Sequence, residues 1–387
     1  MNKKRTATYS IPLIPTFIFA IMGAWWLSAF SLMILLVIFV AKSNNRYLAG
    51  FRRQKWLLWP IVFLGVIVAA VFFRTLFLCI YEIPSSSMER TIVKGDVVWG
   101  NKFTYGPKLP KNPYEIPWFN LLYWATHRDQ KHEDILRWNH HRLKGFGQMQ
   151  RGDVMVFEHP DKGEIYIKRC VALPGDTFNL VRGQVMNNNH ILCRPDDALF
   201  YSKIFFDSNE DMDNLLHQIR ATNFRRNIQR NDSLSISSIL TNQEMKDFNR
   251  MKGVTKVEVD TSWYKQYGTV YPHNNPTWDW GNMGPLWIPQ KGAAIKLDSL
   301  TYSIYADVMN KHENIKIEKT DAGYEIDGKI VHQYTFQNDY CFMLGDNRYD
   351  SQDSRYFGFV PLKNIIAKAS FVIYSKEDGF SAARKID

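Results

Sequence analysis

The first 81 residues contain no aspartate and no glutamate. They do contain nine basic residues: Lys3, Lys4, Arg5, Lys42, Arg46, Arg52, Arg53, Lys55 and Arg74. The full chain of 387 residues carries 48 Lys and Arg against 38 Asp and Glu, so taking away these nine leaves 39 against 38. A net charge of +10 invites a nucleic-acid reading, but the excess sits at one end and no separate basic domain remains. Nucleic acid is therefore not expected as a partner. Cysteine is scarce as well. Cys79, Cys170, Cys193 and Cys341 are too few and too scattered to frame a disulfide-stapled miniprotein. No phosphate-binding loop, zinc motif or dinucleotide fingerprint occurs, so neither a metal nor a cofactor is expected. There is no internal repeat and no low-complexity tract. With 45% hydrophobic and 14% aromatic residues, a disordered chain is also excluded.

Long apolar runs are present. Residues 11–41 lack any charged side chain, and a second run covers Trp56 to Phe73 and beyond. A hydrocarbon core of ~30 Å needs roughly 20 apolar residues as helix. The pattern predicts two transmembrane helices, at about 12–41 and 56–78, within a membrane anchor of residues 1–81. The first run is too long for a cleavable leader and no small-x-small site closes it. The intervening loop, 42–55, carries five positive charges and no negative one. The positive-inside rule assigns it to the cytoplasm, which sends everything after residue 81 outside. Lys3, Lys4 and Arg5 count for the opposite orientation, three charges against five.

The remainder reads mostly as β-structure. Strand-like runs occur at Asp153–Phe157, Ile165–Ala172, Phe178–Val181, Gln184–Met186 and Ile365–Tyr374. Pro174-Gly175-Asp176 signals a turn, and Arg182-Gly183 a hairpin. Residues 200–260 differ: Leu215, Leu216 and Ile219 have helical spacing, and Thr241-x-x-Glu244 is a capping-box pattern. Residues 261–300, rich in Trp, Pro, Gly and Asn, are expected to be irregular loops.

Three stretches can carry chemistry. Ile83-Pro84-Ser85-Ser86-Ser87-Met88 puts three hydroxyls just past the second apolar run. On its own a serine triplet is equally at home in a turn. Lys168 lies within the strand-like run Ile165–Ala172. Burial there would lower its pKa and leave a neutral amine able to act as a base; an edge-strand lysine in water is the plainer alternative. Gly345 to Arg355 is a polar loop, Gly-Asp-Asn-Arg-Tyr-Asp-Ser-Gln-Asp-Ser-Arg, between two apolar segments, and a solvated surface loop would look similar.

Taken in order, these stretches resemble the type I signal peptidases. The matching segments are the Ser-x-Ser-Met box at Ser85–Met88, Gly152-Asp153, Lys168-Arg169 through Asp176, and Gly345-Asp346-Asn347-Arg348 with Ser351, Asp353, Ser354 and Arg355. Close agreement covers about a fifth of the chain. The resemblance implies Ser87 as nucleophile and Lys168 as general base. It implies Ser85 as a donor to the oxyanion, together with the Ser87 N–H, and Ser351 as the residue that orients the lysine. Structural support would come from Arg169, Asp346, Asn347, Asp353 and Arg355, with Arg169 pairing into the Asp353–Arg355 network. Shallow pockets lined by residues such as Ile83, Ile92 and Ile167 would then reject large side chains. Arg90 and Ser86 depart from the family's usual proline and glycine.

The expected fold is thus a mainly β catalytic domain of the signal-peptidase type, built from residues 82–194 and 336–387. It carries a mixed α/β insertion at 195–335 and follows two transmembrane helices. The expected function is a membrane-bound serine endopeptidase that cleaves signal peptides from exported preproteins after small residues. It would sit in the bacterial cytoplasmic membrane with its catalytic domain on the outer side. Preprotein signal peptides and the lipid bilayer are the implied partners, and the resemblance admits the secretion translocon as a third. The rival from another class is a non-catalytic anchored β-domain that scaffolds exported proteins.

Two further clusters carry less. His127, His132, His140 and His141 have no tight ligand spacing and read as a hydrated loop. Trp118–Trp124 is aromatic and uncharged; it reads as a core element, with interfacial membrane contact as the rival.

Overall fold

The computed structural model describes residues 79–110, 141–187, 190–191, 198–221, 228–231, 234–260, 268–275, 277–375 and 383–386, with isolated positions elsewhere. Nearly all of the two apolar runs, the Trp118–Trp124 stretch, His127, His132, His140 and Cys193 lie outside the described residues. Among the described residues, no helix is long and apolar enough to cross a membrane.

The chain divides into two units, one of Met1–Cys79 with Asn101–Gln148 and one of Ile80–Gly100 with Met149–Asp387. In the first, a short helix, Lys102–Tyr105, is capped by Asn101, whose side chain accepts the Phe103 N–H at 2.8 Å.

The second unit is mainly β. Its principal sheet has eight strands. In spatial order seven of them run Ile80–Glu82, Val97–Asn101, Ile365–Tyr374, Val154–Glu158, Ile165–Ala172, Tyr340–Leu344 and Val360–Pro361, while Arg384–Lys385 pairs with Ile365–Tyr374. Strands Val154–Glu158 and Tyr340–Leu344 are almost wholly buried, as the apolar runs Val154 to Phe157 and Tyr340 to Leu344 require. Val154–Glu158 pairs antiparallel with Ile165–Ala172, setting Met155 opposite Lys168 and Val154 opposite Arg169.

The turns follow their sequence signals. Arg182 and Gly183 both take positive φ, 49° and 73°, as a two-residue hairpin of this hand demands. They join Thr177–Val181 to Gln184–Asn187. At Pro174-Gly175-Asp176, the Asp176 carboxylate accepts the Leu173 N–H at 2.7 Å.

Residues 199–260 form a mixed α/β lobe. Strands Val254–Val259, Leu199–Phe206, Ser235–Thr241 and Gln229–Arg230 make one sheet, with helices Asn209–Ala221 and Asn242–Phe248. Its own core comprises Ile204, Phe206, Met212, Leu215, Ile236, Leu240 and Phe248. The capping box is present: Thr241 Oγ1 accepts the Glu244 N–H at 3.1 Å, and Glu244 accepts the Thr241 N–H at 2.7 Å.

Residues 261–300 are more regular than their composition suggests. Met283–Trp287 pairs with Thr177–Val181, and Ala294–Lys296 with Gln333–Thr335. Among the described residues of this stretch, Tyr271 and Trp280 belong to the main core, and Trp278 and Trp287 pack against it. Tyr271, Trp280, Met283, Leu286 and Ile288 pack with Phe178, Phe342 and Phe359. Burial of these apolar side chains outweighs the loop-like Gly and Pro content.

Candidate active site

Ser87 sits where the chain, having left the first strand of the sheet, enters a tight turn. The Ile83 N–H donates to the Asp96 carbonyl at 2.9 Å, which fixes the entry. Beyond Ser87, the N–H groups of Glu89 and Ile92 bond back to Ser86 and Met88 at 2.9 and 2.8 Å. This turn presents the Ser87 side chain to a cleft of about 520 Å³. The lining includes Ile83, Ser85, Ser87, Tyr166, Ile167, Lys168, Asp350 and Gln352.

Lys168 reaches the same cleft from the Ile165–Ala172 strand. Its Nζ lies 2.5 Å from Ser87 Oγ, and both residues are buried, at 4% and 7% exposure. Period-2 alternation puts Tyr166 on the same strand face, and Nζ lies 5.5 Å from that ring's centroid. Burial pushes the Lys168 ammonium down to about 8. The negative charges of Asp353, Asp346 and Asp350 pull the other way, while Arg355 adds to the depression. Burial wins because it strips the ammonium of the water that would stabilise its charge, and, among the described residues, no carboxylate in ion-pair contact replaces that water. Near neutral pH a useful fraction is therefore neutral, and its lone pair can accept the Ser87 hydroxyl proton.

The polar loop 345–355 holds the backbone of Ser87. The Asn347 N–H donates to the Ser87 carbonyl at 3.1 Å, and Asn347 Nδ2 donates to the Ser86 carbonyl at 3.2 Å. The Ser86 carbonyl and the Ser87 N–H share one rigid peptide plane. Anchoring the carbonyl therefore aims the N–H. Ser85 Oγ lies 3.2 Å from Ser87 Oγ, so a second donor sits beside the first. A Cβ on Gly345 would stand 2.5 Å from the Ser87 carbonyl oxygen and 2.2 Å from Ser351 Oγ. Glycine is thus required there by close approach.

Two buried ion pairs brace this loop, separately. Arg169 grips Asp346 with two hydrogen bonds, Nε to Oδ1 at 2.8 Å and Nη2 to Oδ2 at 2.7 Å. Arg355 grips Asp353 in the same way, both at 2.9 Å. The expectation that Arg169 joins the Asp353–Arg355 pair is corrected. Arg169 and Asp346 meet because Val154–Glu158 and Tyr340–Leu344 flank the lysine strand, so Arg169 faces the start of the loop. Burial by itself would raise the Asp353 carboxyl, but the Arg355 guanidinium and the Gly345 N–H hold it below its ordinary value. Removing one partner of such a pair typically costs about 3–5 kcal/mol, because the other is left buried and charged.

Other expected positions fare differently. Ile83 and Ile167 line the cleft, but Ile92 does not; it is fully buried, with its N–H tied into the turn. Ser351 lies by Gly345, and its buried Oγ makes no hydrogen bond of standard geometry, to Lys168 or otherwise. It stands close enough to Asp353 to favour the ionised carboxyl. Thr91 has no sequence signal. Its hydroxyl donates to Asp346 at 2.6 Å, which only the fold discloses. Cys170 and Cys341 are buried free thiols. Among the described residues, no group of His, Cys, Asp and Glu is arranged to hold a metal ion.

Comparison with known proteins points the same way. The family model for signal peptidase, peptidase S26, matches residues 53–250 and 296–374. The signal peptidase I of Buchnera aphidicola subsp. Baizongia pistaciae is 24% identical over 314 residues, covering 80% of this chain and 74% of that protein. That of Helicobacter pylori (strain J99) is 25% identical over 296 residues, 76% and 74% of the two chains. That of Aquifex aeolicus is 24% identical over 312 residues, 80% and 81%.

Proposed function

Given that the chain belongs to the signal peptidase family, peptidase S26, and is a serine endopeptidase of the bacterial type I class, we propose that it removes signal peptides from exported preproteins with Ser87 as nucleophile and Lys168 as general base. The observation that carries this reading is the 2.5 Å approach of a buried, pKa-depressed amine to a serine hydroxyl inside a cleft.

In the proposed reaction, neutral Lys168 takes the Ser87 proton as Oγ attacks the scissile carbonyl carbon. The carbonyl oxygen becomes an oxyanion, met by the Ser85 hydroxyl and the Ser87 N–H. The Lys168 ammonium then returns its proton to the leaving amine, the C–N bond breaks, and the mature chain departs. Water, deprotonated by the same amine, hydrolyses the acyl-enzyme and restores both groups. Two donors aimed at a developing negative charge are worth several kcal/mol between them, roughly 10²–10³ in rate for each. The apolar wall of Ile83, Pro84 and Ile167 suits small side chains of an extended substrate.

The proposal includes two membrane spans near residues 12–41 and 56–78, with the catalytic unit on the outer face of the bacterial cytoplasmic membrane. Ser87 then follows the second span closely, near the bilayer surface where a signal peptide's cleavage site emerges. Residues 195–335 are proposed as an insertion in the catalytic domain. The test is incubation of the detergent-solubilised protein with a preprotein and N-terminal sequencing of the product. A single new N-terminus at the signal-peptide junction, after a small residue, supports the reading. Uncleaved preprotein overturns it.

A further inference from the structure

Among the described residues, three charged side chains line the cleft: Glu82, Lys168 and Asp350. Lys168 is buried and only partly protonated near pH 8, so the cleft's fixed charge is negative. Asp350 is the carboxylate next to the reacting serine. The Ser86 hydroxyl donates to its Oδ2 at 2.5 Å, and Ser86 lies between Ser85 and Ser87 in the chain. The loop that carries Asp350 is held from both sides. The Asp350 N–H donates to the Asn347 carbonyl at 3.1 Å. Its neighbour Tyr349 stacks on Tyr201 of the α/β lobe, with centroids 5.6 Å apart and planes 17° from parallel. Among the described residues, no Lys or Arg forms an ion pair with Asp350, and the residue is exposed. A tethered, exposed carboxylate, with no cation paired to it among the described residues, is thus bonded to the residue beside Ser87. Its negative charge also helps to hold the Lys168 amine up, an effect common to every substrate, whereas a charge facing the cleft discriminates between substrates.

We propose, on the reading of this cleft as a signal-peptide site, that Asp350 makes the enzyme select for positive and against negative charge on the substrate residues flanking the scissile bond. A lysine side chain entering beside Asp350 gains attraction, and a glutamate meets repulsion close to where the oxyanion must also be accommodated. Asp350 is a specificity residue in this account, and the substrate chemistry it reads is a basic side chain. Solvent in the open cleft limits the effect to about tenfold between a lysine and a glutamate substrate.

The test uses full-length protein in detergent and six peptides of one signal-peptide sequence, in which small residues are kept at the first and third positions before the cut. They carry Lys, Gln or Glu in turn at the second position before the cut and at the first position after it. In the wild type, the lysine-to-glutamate ratio of kcat/KM is expected to reach about tenfold at one position or more and to shrink as salt is raised. Asp350→Asn is expected to bring that ratio near one, and Asp350→Lys to invert it. Because each ratio is taken within one variant, a general loss of activity cancels. A wild-type ratio near one at every position overturns the inference, as does a salt-independent ratio or one that Asp350→Asn leaves intact. Failure of the wild type to cleave either glutamine peptide overturns the underlying signal-peptide reading, and this inference with it.

Discussion

Asn347 holds Ser87 from across the chain: its N–H donates to the Ser87 carbonyl at 3.1 Å, while its side chain holds the Ser86 carbonyl, 261 residues away in sequence. The backbone of Ser87, the proposed nucleophile, is therefore set by the 345–355 loop and not by its own segment alone. That loop in turn is fixed by the buried Arg169–Asp346 and Arg355–Asp353 pairs. Arg169 is adjacent in the chain to Lys168. One strand thus supplies the proposed base on one face and, on the other, the cation that anchors the loop holding the Ser87 backbone. Preorganisation of this kind matters because misplacement of reacting atoms by about 1 Å can cost 10²-fold in rate.

Ser85→Ala is expected to lower kcat by roughly 10²–10³ and leave KM nearly unchanged, since its hydroxyl serves a charge that exists only in the transition state. Ser85 is exposed and 3.2 Å from Ser87 Oγ, so its removal threatens no packing. Steady-state kinetics on one peptide decide it. A raised KM at constant kcat would assign Ser85 to ground-state binding instead.

In the proposed mechanism activity depends on the neutral form of Lys168, whose amine burial pushes down to about 8. With chemistry limiting, kcat is expected to rise tenfold per pH unit well below 8 and to level off above it. Asp350 is one of the carboxylates that hold the value up, so Asp350→Asn is expected to move the midpoint to lower pH. A profile that is flat from pH 5 to 9 would remove lysine from the role of base.

Holding that amine away from its ordinary 10.5 costs stability. Between about 8 and 10.5 the unfolded chain binds more protons than the folded one, so folding grows more favourable as pH rises through that window. Below it, the full cost applies, on the order of 3 kcal/mol at 1.36 per unit. Lys168→Met is therefore expected to unfold at higher denaturant concentration than the wild type at pH 6. The gap should close by about pH 10. Loss of the contact with the Tyr166 ring offsets up to about 1 kcal/mol of the gain. An equal midpoint difference at both pH values would show that Lys168 is not buried as an amine.

Much of this site was legible before the fold was known, and the reason is local. Ile165–Ala172 and Ile365–Tyr374 carry their β-signal in their own residues, and both strands have those bounds. The Thr241–Glu244 capping box and the Arg182-Gly183 hairpin are equally local devices. Ser87 and Lys168 were picked out by the resemblance of their segments to one family's motifs, because their own stretches fit a turn serine and an edge-strand lysine equally well. Long-range pairings were not findable. Nothing near Arg169 says that it will meet Asp346 and not Asp353, and nothing near Thr91 points 255 residues ahead. Ile92 has the apolar character of a pocket wall, yet the turn after Met88 directs it inward. The Trp- and Pro-rich stretch 261–300 read as loop because composition reports propensity, while tertiary burial of Tyr271, Trp280 and Leu286 decided its structure.

The dyad is tested most directly by cleavage of one preprotein with full-length wild type, Ser87→Ala and Lys168→Ala in detergent, with product N-termini sequenced. The account predicts a single cut at the signal-peptide junction by the wild type and none by either variant, at equal folded protein. Wild-type cleavage by both variants would contradict it.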